Sequence, residues 1–419
     1  MAVNSSGGFA LAALAVLGCA VTGCGVEPIA TGQQPVPRGA QGVLVINTDY
    51  KSTSVSALDF AGDLLTQNLI STSSASTGLS VALSGDVGLP SGSTPDRETV
   101  LIDRYPAAVL SWVNLDTAQV RAQLSVATGF SSNPHDYVAV SRRKAYVPRY
   151  NPNLGSGEQP FDTGHDVLIV DPASARITGS VDLMPAITDE ATGLYARADR
   201  AVIIDGLLRV LVSVFNTAYS RPGDSRLVSI DPDTDRIVAV HRIAGLTSCS
   251  NFAFAPDGTE LAVACNGFFR QAAATGFPDS AIVRLTFDGV EVTELARYPT
   301  TELGGNQVGV LSYADQDHLV FTTLGRRASP LSVAAPDTLR VFDVTTNQVS
   351  APILQTQRVP LSLGDVLCVP SENSCFVADA ETLGGVVHRF ELDDGMPISE
   401  RLISVDTATG LPPRYLGRF

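Results

Sequence analysis

At 419 residues the chain could hold two or three ordinary domains, but repeat architectures break that length rule, so organisation must be read from pattern. A hydrophobic fraction of 44% against 17% charged residues supplies a large core and excludes a disordered chain. The 28 basic and 43 acidic residues leave a net charge of -15, which argues against nucleic acid and anionic lipid as partners.

Phe9 to Val21 is an almost unbroken apolar run, long enough for the core of an export signal but short of the roughly 20 residues a spanning helix needs. Two cysteines close it, Cys19 after Val-Leu-Gly and Cys24 after Val-Thr-Gly. Both resemble the bacterial lipobox, whose cysteine becomes the lipidated first residue of the mature chain. That resemblance implies a membrane anchor at Cys24, with Cys19 and a cleaved signal without lipid as the alternatives. Met1 to Gly8 departs from the usual signal in carrying no Lys or Arg. The residue after either cysteine is Gly or Ala rather than Asp, which by the same resemblance points to the outer membrane of a Gram-negative bacterium. Gly25 to Ala40 has no apolar periodicity and several Pro and Gly, as a flexible tether would. The expected organisation is therefore a signal peptide over 1–23, a tether over 24–40 and one domain over 41–419.

From Gly42 onward short β-rich runs alternate with turn clusters, and no stretch sustains a helical period. One pattern recurs: two apolar residues spaced three apart, then a polar residue that starts a turn. Its seven copies are Val55 to Asp59, Leu110 to Asn114, Val167 to Asp171, Leu227 to Asp231, Ile282 to Thr286, Leu339 to Asp343 and Val387 to Glu391. The period of about 55 residues accommodates four strands with their loops. In the best copies Asp171, Asp231 and Asp343 open a turn into a further strand, where a carboxylate can accept hydrogen bonds from amides ahead of it. A second hairpin lies upstream of most copies, such as Phe252 to Val263 around Pro256-Asp257-Gly258. Two hairpins make one four-stranded unit, so the class is all-β, a seven-bladed β-propeller of antiparallel blades.

These repeats resemble the YVTN or YncE-like family of β-propellers across essentially Gly42 to Phe419, with Phe254 to Gly258 the clearest hairpin match. The resemblance implies blades and says almost nothing of function. The first copy lacks an innermost strand, and Arg414 to Phe419 remains unassigned after the seventh. That segment is expected to close the ring from the carboxy terminus.

Four cysteines remain in the body. Cys249 and Cys265 flank the Pro256-Asp257-Gly258 turn symmetrically, and Cys368 and Cys375 flank Ser371/Glu372. Symmetric register puts each pair opposite, with Cβ atoms roughly 4 Å apart, which suits two disulfides in an oxidising compartment. Buried free thiols are the alternative. The even count survives only if Cys24 carries the lipid.

No metal or other cofactor and no catalytic residue is expected. Among His135, His165, His241, His318 and His388 there is no zinc spacing, and Asp231, Asp233 and Asp235 lack the Gly and distal Glu of a calcium loop. The long loops give a better pointer. Asn151 to His165, Thr217 to Ser225, Gly267 to Ser280 and Gly325 to Asp337 fall on one face, where function usually sits. At the inner-strand ends beneath them lie His135, Asp136, Arg149, Tyr150, Asn216, Asn251, Asn266, Asn306, Gln307 and Asp379, the expected ligand-binding funnel.

Two function classes remain. One is a monomeric envelope binding or scaffold module that offers this face to a protein, glycan or small ligand. The other, by resemblance to propeller lactonases and lyases, is an enzyme with convergent carboxylates and histidines over the channel. Only His135 beside Asp136 suits the second, and binding is the expectation.

Overall fold

The structure, a computed structural model, describes residues 32–74, 78–269, 276–329, 332–381 and 384–419. The signal peptide and both candidate lipidation cysteines, Cys19 and Cys24, lie outside the described residues. Among those described, no helix is long and apolar enough to cross a membrane.

Seven antiparallel blades follow one another in the chain. In blades 2 to 7 the first strand is innermost: Val87–Gly88, Val138–Ser141, Tyr195–Ile204, Cys249–Phe254, Val308–Tyr313 and Leu363–Val369. Blade 1 takes its innermost strand from the other end of the chain. Pro413–Arg418 pairs with Gly42–Thr48, Val43 opposite Arg418 and Ile46 opposite Tyr415. All seven copies of the sequence motif form the third strand of their blade. In blade 6 the long connection also carries a small separate hairpin, Arg326–Ser329 with Ser332–Ala335.

Why these strands read as continuous apolar runs follows from the ring. Every residue of Gly42–Thr48 is buried, because each face of a blade meets a neighbouring blade. The hydrophobic residues of the described chain separate into seven clusters, one at each blade-blade interface. Alternate residues of one strand therefore serve opposite neighbours. Leu44 and Ile46 pack towards blade 2, Val43 and Val45 towards blade 7, together with Leu416 of the closing strand.

The turn aspartates behave as their sequence suggests. Asp171 accepts from the amide of Ala173 at 3.0 Å, Asp231 from Asp233 at 2.9 Å and Asp343 from Thr345 at 2.8 Å. Hydrogen bonding to backbone amides and hydroxyls holds all three carboxyls below their usual range. Asp235, the last acid of the Asp231, Asp233 and Asp235 run, pairs with Lys144 at 2.8 Å.

Both disulfides form, Cys249 with Cys265 in blade 5 and Cys368 with Cys375 in blade 7, each joining residues in direct register on the two inner strands. One expectation needs correction. The end of the supposed tether, Gln33 to Ala40, is packed on blades 1 and 2. Gln34 and Val36 donate to the carbonyls of Asn68 and Leu115, and Val36 is 2% exposed. Low periodicity hid this because the segment is anchored by its backbone and by one apolar side chain.

Candidate functional site

Innermost strands crowd the propeller axis, and their free edges would ordinarily leave only backbone facing the channel. Five of them depart from regular pairing at the same level, near the face that carries the long loops. In blade 4 Ala198 pairs with Val212 but Ala201 with Val210, so Asp199 and Arg200 together oppose one residue. Gly309 and Val310 do the same in blade 6, and Gly364 and Asp365 in blade 7. Ser250 is the extra residue in blade 5, and Arg414 in the closing strand of blade 1. A β-bulge redirects side chains that would otherwise point into a neighbouring blade. Here the five bulges fall in consecutive blades, 4 to 7 and then 1, and their residues line a cavity of about 330 Å³ that opens on the long-loop face.

The strands of blades 7 and 1 approach very closely at this level. A Cβ on Gly364 would stand 2.3 Å from the carbonyl oxygen of Arg414, so no larger residue fits there without moving backbone. Three arginines line the cavity, Arg104, Arg200 and Arg414. Arg104 is already committed, paired with Asp86 and donating to the Tyr415 hydroxyl at 2.6 Å. Burial pushes that tyrosine up to about 12. Arg200 hydrogen-bonds neutral groups, from Nη1 to the carbonyl of Leu89 at 3.1 Å and the hydroxyl of Ser91 at 3.2 Å, and its charge acts on Asp136 and Asp365. Arg414 donates from Nη1 to the carbonyl of Leu361 at 3.0 Å and lies over the Tyr50 ring at 5.4 Å, while its Nε is buried without a partner.

Two carboxylates share the mouth. Asp365 accepts from the Leu416 amide at 3.1 Å, and burial raises its carboxyl despite the opposing pull of Arg200 and that amide. Asp199 lies 2.9 Å from Nδ1 of His135, and the other ring nitrogen meets the Asn133 amide at 3.1 Å. The imidazole stacks on Tyr150 at 4.3 Å, and Tyr150 in turn faces Tyr219, with Arg197 lying over both phenol rings. Both of His135's nitrogens are thus engaged and its ring is clamped. Arg200, Asn251 and Asp365 also line a second cavity of about 550 Å³ that opens towards the inner hairpin turns, so they form the waist of the channel.

Of the ten residues expected at the funnel, His135, Asn251 and Asn266 line the mouth. Asn266 donates to the carbonyls of Val308 and Gly309 at 2.6 and 3.0 Å, which braces the bulge of blade 6. Gln307 reinforces it by donating to the Asn266 carbonyl at 2.9 Å. Tyr150 stands behind His135. Asp136 is fully buried, accepting from the amides of Ser91, Tyr137 and Ala201 and from the Ser91 hydroxyl. Arg149 forms a buried two-pronged pair with Asp166 at 2.7 and 2.6 Å. Asn216 caps its own loop through the amides of Ser220 and Arg221. Asp379 holds His388 at 3.2 Å, and Asn306 is half-buried in the link into blade 6. Sequence reading missed Tyr50, Arg104, Asp199, Arg200, Asp365, Arg414 and Tyr415. Five of these sit in or beside bulges, which period-2 patterning does not reveal. Only the charged residues interrupting otherwise apolar inner strands could have signalled them.

No family model matches the chain, and no curated protein matches it. Solved structures do. A candidate 6-phosphogluconolactonase from Bacteroides fragilis superposes with TM-score 0.56 at 11% identity, covering 92% of this chain and all of that one. A protein from Lactobacillus plantarum gives 0.56 at 13%, covering 90% and 99%. A periplasmic gluconolactonase from Pseudomonas aeruginosa gives 0.55 at 13%, covering 90% and 98%. At these identities the likeness is one of fold, the seven-bladed propeller.

Proposed function

We propose that this chain is an exported, lipid-anchored envelope protein whose propeller binds a small polar ligand at the long-loop mouth of its channel. The observation that carries the reading is the row of five bulges, which with adjoining strand ends places three arginines, two aspartates and two asparagines around one cavity of about 330 Å³. Irregularity repeated at one level of five blades costs ladder hydrogen bonds, and packing alone does not call for the charges it exposes. Export is supported by the two disulfides, which belong to oxidising compartments, and by the apolar amino-terminal run. The anchor at Cys24 and the outer membrane rest on the lipobox resemblance, and intact mass of the membrane-extracted protein tests the first.

A second reading is hydrolysis of a lactone at the same mouth. Asp365 favours it, because a desolvated carboxylate beside a guanidinium can activate water while the cation stabilises the developing oxyanion. The fold likeness to two proteins named as lactonases points the same way. His135 supports it less, since both of its ring nitrogens are occupied. A library of sugars, sugar acids and lactones, screened by thermal shift and hydrolysis against wild type and the Arg200→Ala/Arg414→Ala double variant, separates the readings. Binding requires a stabilising compound whose effect the variant loses. Catalysis requires turnover that Asp365→Asn abolishes. Stabilisers acting equally on wild type and variant would remove the mouth from both.

A further inference from the structure

The charge pattern within the mouth narrows the ligand class, an inference that rests on the binding reading above. Arg200 and Arg414 are the two cations there that form no ion pair, whereas Arg104 is paired with Asp86. Among the described residues neither has a carboxylate partner within 4.0 Å, in a protein carrying 15 more acidic than basic residues. A guanidinium that lines a cavity and touches no carboxylate, in so acidic a chain, can take an anion from outside. Arg414 spends one donor of its outer guanidinium on the carbonyl of Leu361 at 3.0 Å, while its Nε is buried without a partner.

Asp365 lies in the same cavity and at the channel waist shared with Arg200, yet the two form no ion pair. Both line the cavity, so a ligand seated there can meet the acid and the base together. A simple inorganic anion would use the arginines and meet repulsion from Asp365. A ligand carrying a hydrogen-bond donor close to its anionic group would satisfy both sides, with Asn251 available as a further polar contact.

We infer that the mouth recognises a small organic carboxylate with a hydroxyl or ammonium group on the neighbouring carbon, its carboxylate held by Arg200 and Arg414 and its donor by Asp365. Hydroxy acids and amino acids share that chemistry, and the experiment distinguishes them.

Full-length mature protein is titrated calorimetrically with lactate, alanine, acetate, lactamide and inorganic phosphate. Lactate or alanine should bind, and acetate and lactamide at least about tenfold more weakly, since each lacks one of the two recognised groups. Arg200→Ala and Arg414→Ala should each weaken binding about tenfold to a hundredfold. Asp365→Asn should erase the preference over acetate while leaving the fold intact by circular dichroism. Preferential binding of lactate identifies the hydroxy-acid source, and of alanine the amino-acid source. Equal binding of phosphate, or affinity unchanged by the arginine variants, would overturn the inference. A silent panel alongside a variant-sensitive stabiliser from the wider library would also overturn it, yet leave the mouth as the binding site.

Discussion

Arg104 donates to the hydroxyl of Tyr415 at 2.6 Å and lies 4.9 Å over its ring, joining the second blade to the last strand of the chain. The seam is fastened again where Ser54 donates to Asp406 at 2.5 Å and Ser56 to the carbonyl of Val405 at 2.8 Å. Closure thus depends on pairing between the two ends of the sequence. Removing Pro413 to Phe419 would bare the inner edge of Gly42–Thr48 and open the interface between blades 7 and 1. We expect the melting temperature to fall by at least about 10 °C, or soluble protein to be lost. An unchanged melting temperature would refute closure by this strand.

Arg149 and Asp166 are both fully buried and joined by two hydrogen bonds. Arg149→Ala would leave the carboxylate uncompensated in the interior. The expected loss is about 3 to 5 kcal/mol in urea unfolding, as for other broken buried pairs. A loss below about 1 kcal/mol, the range of exposed pairs, would mean that the pair is not structural.

His388 is held between Asp379 at 3.2 Å and Glu400 at 2.7 Å. Burial alone would lower its pKa, but hydrogen bonds to the two acids outweigh that and raise it above 6.5. A folded-state value above the unfolded one means that the native state binds the proton more tightly. The stabilisation is therefore complete below about pH 6.5 and disappears as pH rises through the folded-state value. The stability advantage of wild type over His388→Gln should shrink on going from about pH 6 to about pH 8. An advantage that grows over that interval would show the sign to be wrong.

The disulfides close loops of different length, with sequence separations of 16 and 7. Chain-entropy arguments give about 3 kcal/mol for the first and about 2 kcal/mol for the second. The Cys249→Ser/Cys265→Ser variant should therefore be the less stable of the two double variants. It should also weaken ligand binding, because Cys249 and Cys265 adjoin Ser250, Asn251 and Asn266 at the mouth. Identical affinity in both variants would separate the bridge from the site.

Fold and site were unequally legible. The third strand of each blade is buried on both faces and ends in a polar turn, so motifs such as Leu227 to Asp231 stand out, and counting them leads to seven blades. Ring closure was legible because Arg414 to Phe419 had no other place. The site was not, because bulges at Asp199 and Asp365 depend on how inner strands meet at the axis, a property of the assembled ring. Of the ten polar strand ends, His135, Asn251 and Asn266 line the mouth. Arg149 and Asp136 resemble site residues in sequence, but their partners, Asp166 and the amides of Ser91 and Ala201, are supplied by other loops and strands. His135 was found without its partner Asp199, which lies 64 positions further on.

Ligand binding at the bulges is best tested by a crystal structure of the protein grown with the tightest-binding acid of the panel. Density is expected at the long-loop mouth, with a carboxylate between Arg200 and Arg414 and a donor on Asp365. Ordered ligand elsewhere, with the mouth holding only water, would contradict it.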